Sequence, residues 1–171
     1  TMAKELELVR KIRTFSDIPL IGMGYINNMY HYGFEKFVED FKAAGMDGVI
    51  IPDVPHEESG DLRRIAAAHD FVLAEFITPG TTAVRMEEIC QDASGFIYCV
   101  SNNGVTGVKK VDYSTIGAVC DTARNYTRTP LAVGFGIGSS EAAVAAAAHA
   151  DAVIVGSAVV KELLAGKLDE A

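Results

Sequence analysis

An α/β fold of about six parallel strands with covering helices, the larger part of an eight-stranded barrel, is what this sequence predicts. Three observations lead there. Short β-branched runs alternate with longer helical patterns along the whole chain. The strand runs are continuously apolar, as in Gly48-Val-Ile-Ile51 and Ala152-Val-Ile-Val155, which is the pattern of strands covered on both faces. Finally, the last two runs each end in glycine and open directly into a helical pattern, where barrels of this class place a phosphate site.

The elements follow in order. Residues 2–14 predict a helix, with Leu6, Val9, Ile12 and Arg13 at helical spacing, Thr1 as N-cap and Glu5 and Glu7 in the early turns. Strands are predicted at 18–25, 48–53, 72–78, 96–101, 131–137 and 152–157. Helices are predicted between and after them at 34–44, 57–69, 82–92, 114–127, 139–149 and 159–165. Right-handed crossovers join such parallel strands. A complete barrel takes about 250 residues, so 171 residues leave room for all but two βα units. The opening at a helix cap puts the expected missing units upstream, and a six-stranded remainder has two strand edges to cover.

Composition narrows the function. A chain of 171 residues with 49% hydrophobic content supports one domain, residues 1–171, around one core. No apolar run approaches the roughly 18 residues of a membrane span, and no basic-then-apolar leader opens the chain, so a cytoplasmic protein is expected. A net charge of −8 argues against a nucleic-acid surface, which needs clustered Lys and Arg. Cys90, Cys99 and Cys120 are odd in number and lack a C-x-x-C pattern, and His31, His56, His69 and His149 lack ligand spacing. All seven read as structural or surface residues, with no metal site.

The chemistry concentrates near the C-terminus. In Leu131-Ala-Val-Gly-Phe-Gly-Ile-Gly-Ser-Ser140 and Ala152-Val-Ile-Val-Gly-Ser-Ala-Val159, two strand-to-helix turns aim bare backbone N–H groups at one anion. Helix dipoles and amide nests supply the attraction. Gly104 and Gly107 bracket Thr106 in a long connection from about 102 to 112, the design of a mobile lid. Asp53, at a strand end, is placed as a base would be, but Pro52 and Pro55 make it equally a turn or helix-capping acceptor. Glu75 is an odd charge in an apolar strand and reads as a partnered or rim-facing carboxylate.

Six motifs occur in register: Ile18-Pro-Leu-Ile-Gly-Met-Gly-Tyr-Ile-Asn27, Gly48-Val-Ile-Ile-Pro-Asp-Val-Pro-His-Glu-Glu58, Gly95-Phe-Ile-Tyr-Cys-Val-Ser101, Gly104-Val-Thr-Gly107, Val133-Gly-Phe-Gly-Ile137 and Val155-Gly-Ser-Ala158. Together they resemble the tryptophan synthase alpha-subunit family over essentially the whole chain. The resemblance implies a TIM (β/α)8 barrel. It also implies retro-aldol cleavage of indole-3-glycerol phosphate to indole and glyceraldehyde 3-phosphate, with indole passed to a beta subunit in an alpha2-beta2 assembly. Pyridoxal phosphate belongs to that beta subunit, and no cofactor is implied for this chain.

By the same resemblance Gly107, Phe135, Gly136, Gly156 and Ser157 bind the substrate phosphate or line the cavity beside it. Tyr98 lies beside the reacting centre, and Tyr25 and Asn27 lie near the indole pocket and the beta-facing surface. Thr106 closes the lid, and Asp53 is structural and communicative on the partner side. The family's catalytic glutamate, on its second strand, and its indole-binding aspartate, in the loop that follows, fall upstream of Thr1 and have no counterpart here. The chain is therefore expected to lack lyase activity by itself. It also reads Ser101-Asn-Asn-Gly104 where the family commonly has arginine after the serine, and Gly138 where serine is frequent. The alternatives are a non-catalytic phosphate-binding or regulatory partner of the beta subunit, or another phosphate-binding barrel enzyme.

Overall fold

A computed structural model describes residues 1–100 and 113–166. The chain divides into two compact units, Thr1–Glu75 and Phe76–Ala171. Among the described residues the first unit contains α1 (Met2–Arg13), β1 (Ile21–Met23), α2 (Ile26–Tyr32), α3 (Phe34–Ala44), β2 (Gly48–Ile50), a 3-10 turn (His56–Glu58) and α4 (Gly60–Ala68). It ends in β3 (Val72–Ile77), whose last two residues belong to the second unit. The second unit continues with α5 (Ala83–Asp92), β4 (Ile97–Val100), α6 (Tyr113–Ala123), β5 (Leu131–Gly134), α7 (Ser140–Ala147), β6 (Ala152–Val153) and α8 (Ser157–Leu164).

Every strand pairing is parallel. In the first unit Ile21 pairs with Gly48, and Gly48 with Val72; in the second Ile97 pairs with Leu131, and Ala132 with Ala152. The six-strand α/β expectation, an incomplete barrel class, is met. The strands are shorter than expected, mainly at their C-terminal ends, where the chain leaves the ladder to form turns.

Each unit has its own core. Phe34, Phe37, Val38, Phe41 and Ala44 form one apolar stripe of α3 at i, i+3, i+4, i+7 and i+10, packed with Val49, Ile51 and Leu73 of the strand segments. In the second unit Ile97, Cys99, Leu131 and Val133 pack with Ile89 of α5 and Ile116 of α6. The two-residue strand period puts Tyr98, Ala132 and Gly134 on the opposite face of β4 and β5.

The N-terminal edges of the strands are pinned by one device, used twice. Asp47, just before β2, accepts the Leu20 N–H (2.7 Å) and an Arg13 Nη2–H (2.6 Å), while Arg13 Nη1 donates to the Ile18 carbonyl at 2.5 Å. Asp151, just before β6, accepts the Leu131 N–H (2.8 Å) and a hydrogen bond from Arg124 Nη2, while Arg124 Nη1 donates to the Thr129 carbonyl at 3.0 Å. Both arginines stand seven residues before a leucine that follows proline, in Ile18-Pro-Leu20 and Thr129-Pro-Leu131.

Two expectations about helices change. Thr1 caps α1 with its carbonyl, which accepts from Lys4 N (2.9 Å) and Glu5 N (3.1 Å); its side chain makes no capping bond. A hydroxyl cap does form at Ser139, whose Oγ accepts the Ala142 N–H at 3.2 Å. Ser139→Ala should cost about 1 kcal/mol, read as a small drop in thermal midpoint. The second change is α2, which falls where no helix was expected. It is tied to α3 by Asp40, whose Oδ2 accepts from Lys36 Nζ (2.7 Å) and Tyr32 Oη (2.5 Å).

Lys36 first, and Tyr32 next, hold the Asp40 carboxyl below its ordinary value. The bonds favour the carboxylate, so their contribution is present above the ordinary carboxylate range and is lost as pH falls through the depressed value. An NMR pH titration of the Asp40 carboxyl carbon should give a midpoint below the ordinary aspartate value, and Lys36→Met should raise it.

Candidate functional site

The second unit collects the residues expected around a phosphate ester. Tyr98, on the middle strand segment of β4, is buried and stacks on Phe76 with ring centroids 5.2 Å apart and planes 24° apart. Phe135 meets Tyr98 edge-on, with ring centroids 6.1 Å apart. An aromatic row therefore runs Phe76–Tyr98–Phe135. Burial pushes the Tyr98 phenol above its ordinary pKa, so it stays protonated at neutral pH as a neutral hydrogen-bonding group.

Sequence makes this row possible at Gly134. A Cβ there would stand 2.5 Å from Cε1 and Cζ of the Tyr98 ring, so only glycine admits the tyrosine. Immediately after it the chain turns through two left-handed residues, Phe135 (φ 70°) and Gly136 (φ 74°). Glycine takes that conformation freely; a phenylalanine does not, and Phe135 is a backbone outlier of the kind that gathers at binding sites. Phe135 is 54% exposed.

Gly136 and Gly156 leave neighbouring strands at the same end. β5 and β6 pair Val133 with Val153, and the Ile154 N–H donates to the Val133 carbonyl at 2.8 Å, so both chains step off the ladder within two or three residues of that pair. Ser139 then caps α7, and Gly156 occupies the cap position of α8, whose first residue is Ser157. Two helix N-termini, with the open amides of their first turns, start from adjacent strand ends. A Cβ on Gly138 or Gly156 would meet nothing within 4 Å. Packing therefore does not demand glycine at 156; the space beside its backbone is open.

The residues expected on the partner side lie in the first unit. Asp53 is exposed, and its Oδ1 accepts the Ile26 N–H at 3.0 Å, which caps the start of α2. Of the two readings of Asp53, the capping acceptor is the one the geometry shows. Tyr25 is the cap residue of α2 and is 64% exposed; Asn27 is exposed in its first turn. Gly104, Thr106 and Gly107, with the lid they were expected to form, lie outside the described residues.

Glu75 is partnered. Its carboxylate is buried on β3, with Oε1 3.1 Å from His56 Nδ1 and 3.5 Å from Arg63 Nη1, and the same Arg63 nitrogen lies 3.2 Å from His56 Nδ1. His56 and Arg63 were not singled out in this role, because 19 and 12 residues separate them from Glu75; the apolar run around Glu75 was the available signal. Phe76 was missed because a strand phenylalanine looks like any core residue. The cysteines are all free and buried, and burial pushes the Cys90 thiol up, which makes it unreactive. Among the described residues no three His, Cys, Asp or Glu side chains come together as a metal site, and no helix is long and apolar enough to cross a membrane.

Comparison with known proteins adds to this geometry. The family model described as tryptophan synthase alpha chain matches residues 1–171. The tryptophan synthase alpha chain of Desulfatibacillum aliphaticivorans is 43% identical over 158 residues, 92% of this chain and 60% of that protein. That of Clostridium kluyveri is 41% identical over 155 residues, 91% of this chain and 59% of that protein. The chain thus spans about three-fifths of the length of the curated relatives it matches. Among solved structures, the alpha subunit of Campylobacter jejuni tryptophan synthase superposes with a TM-score of 0.86 at 33% identity, over 98% of this chain and 66% of that one. A chain from the tryptophan synthase α2β2 complex of Pyrococcus furiosus gives 0.86 at 29% identity, over 98% and 68%.

Proposed function

The chain belongs to the tryptophan synthase alpha chain family, and from that premise we propose that the protein it forms part of cleaves indole-3-glycerol phosphate to indole and glyceraldehyde 3-phosphate in the cytoplasm. The observation that carries this reading is the pair of turns at Gly136 and Gly156. They start two helices from adjacent strand ends beside the Phe76–Tyr98–Phe135 row. Amides and helix dipoles suit a phosphate dianion, the Ser157 hydroxyl adds a donor, and the aromatic row offers a flat apolar surface to an indole ring. No cofactor has a role in this chain. Indole goes to a beta subunit that carries pyridoxal phosphate, with Tyr25, Asn27 and Asp53 on the partner-facing surface. A partner in an alpha2-beta2 assembly accords with the α2β2 complex among the structural relatives.

Carbon–carbon cleavage needs a group that protonates the indole ring carbon and a base for the glycerol hydroxyl. The family resemblance implies that the carboxylates for this work lie upstream of Thr1. These 171 residues alone should therefore bind a phosphate ester and release no indole from indole-3-glycerol phosphate. Joined to an upstream segment with the strand-two glutamate, they should release it. Indole production by the isolated chain at the rate of a full-length relative refutes the division of labour; failure of the joined chain refutes the lyase reading.

The phosphate site is tested separately. Gly156→Asp adds a carboxylate where there is room for it, with repulsion of about 1–4 kcal/mol against an anion some 4 Å away. Calorimetric titration with glycerol 3-phosphate should show affinity reduced at least about tenfold, with the melting temperature nearly unchanged. Equal affinity in the variant places the phosphate elsewhere.

A further inference from the structure

We propose that the triad of buried His56 and Glu75 with half-buried Arg63 is a positioning device for Asp53, holding the segment after β2 so that this carboxylate stays on the N-terminus of α2. Every residue concerned belongs to the first unit. Glu75 shares a face of β3 with Leu73, toward the helices, and its Oε1 receives His56 Nδ1–H at 3.1 Å. Arg63 Nη1, which only donates, also lies 3.2 Å from Nδ1; we assign the Nδ1 proton to the carboxylate, which only accepts, because Arg63 has its own acceptors in the His56 carbonyl and Ser59 Oγ. Arg63 Nη1 lies 3.5 Å from the same oxygen, donates to the His56 carbonyl at 2.8 Å and also bonds Ser59 Oγ. The Ser59 hydroxyl, itself buried, donates to the same carbonyl at 2.8 Å. His56 is thus held at both its ring and its backbone.

Only Val54 and Pro55 separate His56 from Asp53, and Pro52 precedes it. The proline rings restrict this short link, so fixing His56 fixes the direction in which Asp53 leaves the chain. Asp53 Oδ1 then meets the Ile26 N–H at 3.0 Å. Two buried polar side chains, His56 and Glu75, paired with Arg63 of α4 are a poor route to stability, since apolar residues of similar volume commonly serve as well. They do supply direction, which apolar packing does not. As a device for partner contact through Asn27 and Tyr25 the triad rests on the function proposed above; as a device for holding Asp53 it does not.

Amide hydrogen exchange at Ile26, followed by NMR, tests the inference without any activity. In the double variant His56→Leu/Glu75→Leu, which removes both buried polar partners together, exchange at Ile26 should rise about tenfold relative to core amides such as that of Val49. That is the factor expected when one ordinary hydrogen bond is lost. Glu75→Gln keeps an acceptor for His56 and should restore most of the protection. Unchanged exchange at Ile26 in the double variant overturns the proposal, as does an equal rise at Ile26 and Val49, which is general loosening. Should the double variant not fold, Ser59→Ala is measured in the same way, with a smaller but selective rise expected at Ile26 and an unselective one counting against the proposal. In a full-length chain with its beta subunit, the double variant should raise the concentration of alpha subunit needed for half-maximal activation. If the unmodified full-length chain does not activate the partner, the functional reading fails, while the exchange result still decides the triad.

Discussion

Gly134→Ala should lower the melting temperature by about 4–12 °C and weaken binding of glycerol 3-phosphate, although it adds a single methyl group. The methyl carbon would lie 2.5 Å from two carbons of the Tyr98 ring. The ring has little room to yield, because Phe76 stacks on it and Phe135 meets it edge-on. Overpacking of this kind costs about 1–3 kcal/mol, and the upper part of that range is expected for an aromatic ring held by two others. In the Gly134→Ala background Tyr98→Phe removes the closest atom, the phenol oxygen, but leaves two ring carbons in the way and should recover only part of the loss, whereas Tyr98→Leu, measured there and alone, should recover much of it. Differential scanning calorimetry of the four variants closes a double-mutant cycle. A coupling near zero between positions 98 and 134 would mean that the ring does not rest on Gly134. Ligand affinity should fall with stability because Phe135 and Gly136 follow directly, and a displaced ring pushes on the turn that carries the amides.

Removal of either rim carboxylate should be the next most damaging change. Asp47→Ala deprives Arg13 of its ion pair and leaves the Leu20 N–H without its acceptor; Asp151→Ala does the same to Arg124 and Leu131. The ion pairs are partly exposed, with Asp47 at 45% and Asp151 at 51%, so solvent screening limits their share to about 0.5–1 kcal/mol. The orphaned amide and the half-buried guanidinium bring the total to about 2 kcal/mol for each site, or roughly 4–8 °C. Asparagine keeps an acceptor for the amide and should recover about half of it. Since the two sites share no partner, their effects should add. Urea denaturation of the single and double variants measures this, and alanine variants as stable as the parent would show that the strand registers are held by packing alone.

The fold was legible because its signals are local. Continuous apolar runs such as Gly48-Val-Ile-Ile51 mark strands covered on both faces, and the α3 stripe from Phe34 to Ala44 is an unmistakable helical period. The ends of strands were less legible, since Phe135 and Gly136 look like strand residues until their left-handed conformation is seen. Helix α2 was not legible at all. Asn27 and Asn28 are weak helix formers, and the acceptor that caps it, Asp53, comes from 27 residues away. Of the candidate site, the glycines at strand ends announced themselves through turn chemistry, and Asp53 through its prolines. Phe76, His56 and Arg63 did not, because stacking and buried pairing across chain separations of 12 to 22 residues leave no periodic trace.

The twice-used pin has a bearing on how such a scaffold is threaded. In a closed ring of strands the slip of one strand past its neighbour is limited by the ring itself. Here an arginine, a leucine amide and an aspartate fix the alignment of two strands inside each unit, at two points, before anything else is present. Strand alignment in this molecule is consequently a local property, set by side chains 20 to 34 residues apart. Each half carries its own ruler.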